Sequence, residues 1–191
     1  MFDESFLSQL KRWNEKTSLK NLKFNRGIER ETLRVSKDGS ISNRPHPEAL
    51  GSPLTNPYIT TDFAEALIEL VTPKFDNVDD LYSCLQDLHV FTAQNIDEDE
   101  YLWAHSMPCR IEKESDINIA NYGTNDSGML KHIYRKGLRA RYGSIMQCVS
   151  GIHYNFSIDA ACYKNLLGDE YTQGMVDDLY LRLIRNFKRN F

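Results

Sequence analysis

The run Gly27-Ile28-Glu29-Arg30-Glu31 constrains this chain most, because it lies in a strand-like segment at residues 26–35 and carries two carboxylates two positions apart. Side chains at that spacing on a strand point to the same face. Whatever sheet contains Glu29 and Glu31 must therefore accommodate paired negative charge on one side. Adjacent carboxylates repel unless a cation lies between them, so the pair reads as one edge of a divalent-metal site. For an isolated motif this short, an exposed strand with solvated charges is the plainer alternative.

The chain has 191 residues, enough for one sizeable core or for part of a larger one. A net charge of −4 gives no global attraction to nucleic acid or to anionic lipid. No apolar run approaches the roughly 20 residues needed to span a bilayer. The start Met1-Phe2-Asp3-Glu4-Ser5 lacks the basic and apolar stretches of a secretory signal. These features predict a cytoplasmic protein with neither a nucleic-acid nor a membrane partner. Cys84, Cys109, Cys148 and Cys162 form no C-x-x-C pair, which argues for free thiols and against a zinc cluster.

No repeat, low-complexity tract or linker divides the chain, so it reads as one domain of alternating helices and strands. A helix is expected at 3–19, with Asp3 as its cap, and a strand at 26–35 followed by a turn at Lys37-Asp38-Gly39-Ser40 and a short partner at Ile41. Residues 44–57 read as a loop. A buried strand at 66–71 contains one charge, Glu69, which needs a partner. Helices are expected at 77–95, 127–141 and 170–188, with a long irregular connection at 101–122.

A long strand is expected from Ile145 to Ile158. Counting by twos puts Met146, Cys148, Ile152, Tyr154, Phe156 and Ile158 on an apolar face broken by Ser150, which should pack on helices. Gln147, Val149, Gly151, His153, Asn155 and Ser157 fall on the other face, where His, Asn and Gln beside a glycine suggest a ligand surface. The fold class is α+β, a mainly antiparallel sheet with helices on one face and a site on the other. Side by side, these strands bring Glu29, Glu31, Glu69 and His153 together. Carboxylates suit magnesium or manganese, and the imidazole is better tolerated by manganese. Such metals facing a nucleotide would favour phosphoryl transfer, and without a Gly-x-x-x-x-Gly-Lys loop the nucleotide would lie on the sheet.

Six ordered blocks now carry a resemblance: Arg26 to Arg34, His46-Pro47-Glu48-Ala49-Leu50-Gly51-Ser52, Thr60 to Leu67, Ser106-Met107-Pro108-Cys109, Arg141-Tyr142-Gly143 and Ser150 to Phe156. Together they resemble proteobacterial glutamate–cysteine ligase, from about residue 20 onward. The resemblance implies a glutamine synthetase-like fold and ATP-dependent joining of the L-glutamate γ-carboxylate to L-cysteine through γ-glutamyl phosphate, the first step of glutathione synthesis. It implies ATP with Mg2+ or Mn2+, and matches Glu29, Glu31, Glu69 and His153 to metal-binding positions. Phe63, Tyr134, Leu138 and Gln147 match the cysteine pocket, and Arg135 matches a cationic position near the transferred groups. Tyr134 and Leu138, four apart on a helix, share a face.

Family members continue well past the point where this sequence stops, so residues 1–191 are expected to be the N-terminal part of a single catalytic domain, inactive alone. Alternatives are a truncated metal- or nucleotide-binding domain without turnover, and a related ligase with another amine acceptor. The sequence leaves the oligomeric state open.

Overall fold

The computed structural model describes residues 22–190 together with Glu4, Ser8 and Lys11, three helical positions. The rest of the helix expected at 3–19, with its cap Asp3, lies outside the described residues. The sheet is organised around β1 (Phe24–Ser36). β2 (Ile59–Thr61), β3 (Leu67–Val71) and β1 lie in that order, with β4 (Glu100–Leu102) and β5 (Ile152–Ile158) also pairing with β1. β1 runs antiparallel to β3, which sets Glu31 opposite Glu69 and Leu33 opposite Leu67, and β2 adds Thr60 opposite Glu69. Glu69 therefore faces a second carboxylate, Glu31, across the strand pair. β1 ends in the expected turn, where Gly39 adopts φ 80° and Val35 bridges to Ile41.

Strand alternation separates two apolar clusters. Leu33 and Leu67 join Phe63, Ile117, Cys109 and Cys148, with Leu138 packed at the rim. Ile68 and Leu70, one residue out of phase with Leu67, join Ile59 and Leu50 and receive Leu85 and Leu88 from helix α1 (Val78–Gln94). Each such buried leucine contributes about 1.5–3 kcal/mol. Asn77 caps α1 by accepting the Asp80 N–H at 2.8 Å. Phe91, near the C-terminal end of this helix, is exposed. Helix α2 (Asp126–Tyr142) begins at Asn125, whose side chain accepts the Gly128 N–H at 2.7 Å.

The structure corrects the strand expected at 145–158. Ile145–Cys148 is a turn of 3-10 helix, and only Ile152–Ile158 is strand. The alternation over 145–148 is accidental, because tertiary hydrogen bonds direct this backbone: the Glu114 carboxylate takes the Ser144 N–H, and the Ser106 carbonyl takes the Ser150 N–H at 2.8 Å. The apolar face expected to pack on helices is open at Ile152 and Tyr154, both exposed.

The backbone groups into two compact units, residues 26–155 and residues 1–25 with 156–191. In the second, short helix α3 (Tyr163–Leu167) and helix α4 (Gln173–Asn190) meet through the hydroxyls of Tyr163 and Tyr180, 3.3 Å apart. Tyr180 also accepts the Ile158 N–H at 2.9 Å. No helix among the described residues is long and apolar enough to cross a membrane.

All four cysteines are free thiols. Burial pushes the thiols of Cys109 and Cys148 up to about 11 and about 12, so neither supplies appreciable thiolate near neutrality. Alkylation with iodoacetamide at pH 8, followed by peptide mass spectrometry, is expected to label the half-buried Cys84 first. Cys109 and Cys148 should react only after denaturation, and rapid labelling of Cys148 in the folded chain would contradict this core.

Candidate active site

The acidic face of the sheet lies within residues 26–155. Glu29 and Glu31 project from β1 to the same side as Glu69 on β3, and the β1 residues face β5 on their other edge. The Glu29 carboxylate accepts Asn155 Nδ2–H at 2.8 Å and lies 3.2 Å from His153 Nδ1. That contact raises the basicity of the exposed His153 imidazole, reinforced by Glu31 and Glu69. The Glu31 carboxylate, 8 % exposed as a residue, takes the Gly151 N–H at 2.6 Å. Gly151 has a steric role here: a Cβ would sit 3.3 Å from His153 Nε2 and 3.4 Å from Glu31 Oε2.

Glu69 lies at the centre of the charge. Burial first, then the negative charges of Asp62, Glu31 and Glu29, push its carboxyl up to about 7. Asp62 is likewise raised, mainly by burial, while Arg135 and His153 oppose the shift. Sequence reasoning missed Asp62. It stands alone between Thr61 and the buried Phe63 with no strand periodicity to mark it, and only its place inside the Thr60 to Leu67 block could have drawn notice.

Arg135 reaches this region from α2. Its Nε–H donates to the Asp62 carbonyl, and its guanidinium lies 4.6 Å from the centre of the Tyr122 ring. The residues matched to a cysteine pocket are distributed differently. Phe63 is 1 % exposed in the core, Leu138 packs on that same core, and Tyr134 is 63 % exposed. Gln147 is half-buried in the 3-10 turn rather than on a strand. Open clefts of about 620 and 430 Å3 lie near Glu65 and Asn121, and none of the acidic-face residues or pocket positions lines them. The candidate site therefore follows the charge cluster and not these two clefts.

Among the described residues, no three His, Cys, Asp or Glu side chains close on one cation position. Glu29 and Glu31 are turned to protein donors instead. The donor set nevertheless suits a hard dication: four carboxylates with one imidazole beside them, around a central carboxyl held protonated more readily by burial first and by its acidic neighbours second.

The fold and site together define an α+β protein with an acidic, arginine-flanked site on an antiparallel sheet. A family model described as glutamate-cysteine ligase matches residues 7–191, and the chain belongs to that family. Among solved structures, it resembles a glutamate–cysteine ligase from Francisella tularensis in complex with AMP, at 46% identity over 76% of this chain, with a TM-score of 0.74. It also resembles a bifunctional glutathione synthetase from Pasteurella multocida, at 32% identity over 95% of this chain, with a TM-score of 0.78. The chain spans 29% and 23% of the lengths of these two proteins.

Proposed function

We propose that residues 1–191 form the N-terminal part of an ATP-dependent ligase that joins the γ-carboxylate of L-glutamate to the amine of L-cysteine, in glutathione synthesis. The observation that carries this reading is the alignment of Glu29, Glu31 and Glu69 on one sheet face, with Asp62 and Arg135 beside them, in a chain of this family. The AMP held by the Francisella tularensis relative supports a nucleotide as co-substrate. A carboxylate is a poor acylating group, so the γ-carboxylate oxygen would attack the terminal phosphorus of ATP, releasing ADP. The cysteine nitrogen would then attack the acyl carbon, lose a proton and release phosphate.

The protein's part is to gather and stabilise negative charge. Glu29, Glu31, Glu69 and His153, joined by Asp62, would hold Mg2+ or Mn2+, which when bound neutralises phosphate oxygens. Arg135 supplies fixed positive charge near the transferred phosphoryl group. Tyr134 presents an aromatic face and Gln147 an amide to the cysteine, with Leu138 and Phe63 shaping the floor behind them. The low coverage of the relatives favours a second reading for residues 1–191 in isolation, a domain that binds without turnover.

The experiment is formation of γ-glutamylcysteine coupled to ADP release, run on the 191-residue chain and on a polypeptide extended to the length of its relatives. Product from the extended form alone supports the reading. ADP release dependent on a different amine would overturn the substrate, and absence of activity in both would overturn the ligase assignment.

A further inference from the structure

We propose that Tyr122 is a positioning residue: its ring holds the Arg135 guanidinium while its hydroxyl pins the Thr61–Asp62 main chain, so one side chain couples the cation of α2 to the acidic cluster. This deepens the ligase reading and rests on it for the role of Arg135.

Three sets of contacts carry it. The Tyr122 hydroxyl donates to the carbonyls of Thr61, at 2.7 Å, and Asp62, at 3.0 Å, and accepts from the Thr61 hydroxyl at 3.1 Å. The Asp62 carbonyl also receives Arg135 Nε–H, so the two lone pairs of one oxygen join the tyrosine to the arginine. Over the ring lie two cations one helical turn apart, Arg135 with its guanidinium carbon at 4.6 Å and Lys131 with its ammonium at 5.0 Å. Arg135 further donates to the Lys131 carbonyl at 3.0 Å.

The third contact fixes the helix itself. At Gly128 an added Cβ would lie 2.4 Å from the Tyr122 carbonyl oxygen, so the first turn of α2 seats directly on the tyrosine backbone. This close approach sets how α2 presents residue 135. An arginine on a helix surface otherwise samples many rotamers, and stacking on a buried ring removes that freedom before any ligand arrives. Tyr122 is 5 % exposed, so the ring is a fixed platform.

The test uses the 191-residue chain and two variants, Tyr122→Phe and Tyr122→Leu. Nitrogen-15 spectra follow the Arg135 side-chain Nε–H, and Mn2+ affinity is measured by electron paramagnetic resonance. Tyr122→Phe is expected to keep the ring-shifted Arg135 signal, to speed its solvent exchange several-fold, and to weaken Mn2+ binding about two- to tenfold, the loss of one buried hydroxyl contact. Tyr122→Leu is expected to move the signal to that of a solvated arginine. A purely structural tyrosine would lower the melting temperature in both variants without separating these two readouts. An unchanged Arg135 signal in a folded Tyr122→Leu overturns the proposal. Should that variant not fold, unchanged Nε–H exchange in Tyr122→Phe overturns it equally. If the parent chain binds no Mn2+, the arginine spectra alone decide the role of Tyr122, and the metal part of the ligase reading is decided on the polypeptide extended to the length of its relatives.

Discussion

Truncating Arg34 to alanine is expected to destabilise residues 26–155 by about 3–5 kcal/mol, because it strands a buried carboxylate without its partner. Arg34 is wholly buried on β1, and its guanidinium grips Glu100 through both carboxylate oxygens, at 3.0 and 2.8 Å. The same side chain donates to the carbonyls of Arg44, Pro45 and Glu65 at 2.8–3.1 Å, and the Ser42 hydroxyl completes the shell around Glu100. Against a total stability of about 5–15 kcal/mol for an ordinary domain, such a loss is a large fraction of what holds the fold. The surface pairs of Arg44 with Asp97 and Asp99 give the contrast: their side chains are 42–57% exposed, and Arg44→Ala should shift the unfolding midpoint far less than Arg34→Ala. Urea unfolding followed by circular dichroism measures both. Arg34→Lys should recover little, since an ammonium cannot reproduce the planar fork, and a penalty below about 1 kcal/mol for Arg34→Ala would contradict a network held by that residue.

Glu29→Gln is expected to lower ligase turnover by about 2–4 kcal/mol of transition-state stabilisation, roughly 30- to 1000-fold, in a polypeptide that supports the reaction. The structure separates it from its neighbour. Among the described residues, Glu29 is held by the side chains of His153 and Asn155, whereas the Glu31 carboxylate grips the backbone of Gly151. Glu29→Gln should therefore spare stability. Glu31→Gln should lose comparable turnover and also weaken the charge-assisted bond that ties Gly151 to β1, lowering the unfolding midpoint. Turnover equal to the parent at saturating Mg2+ and ATP in either variant would refute a metal-holding role for that glutamate.

The acidic face was legible because strand geometry is periodic. The spacing of Glu29 and Glu31 requires a shared face, and one charge in the apolar run ending at Val71 singled out Glu69. Their alignment follows from antiparallel pairing, which sets Glu31 against Glu69. His153 and Asn155 were legible for the same reason, although the strand that bears them is half as long as its alternation suggested. What the sequence concealed lies where tertiary contacts overrule local pattern. Ile145–Cys148 alternates like a strand and coils into a turn because distant groups claim the flanking amides. The partnership of Arg34 with Glu100 joins positions 66 residues apart and leaves no periodic trace in the sequence. Asp62 and Tyr122 owe their places to a turn and an irregular connection, where no repeat assigns a direction to any side chain.

The contact between Glu29 and His153 closes a loop of 124 positions, and that between Glu29 and Asn155 one of 126. Contacts so remote in sequence form late, after the entropy of loop closure has been met by the core. During synthesis, β1 leaves the ribosome long before β5 exists, so the earliest half of the acidic face waits as bare charge while the residues between the two strands are made. Whatever ion or nucleotide this face accepts, it can reward only a sheet already assembled, and its binding marks the end of folding and cannot guide the beginning.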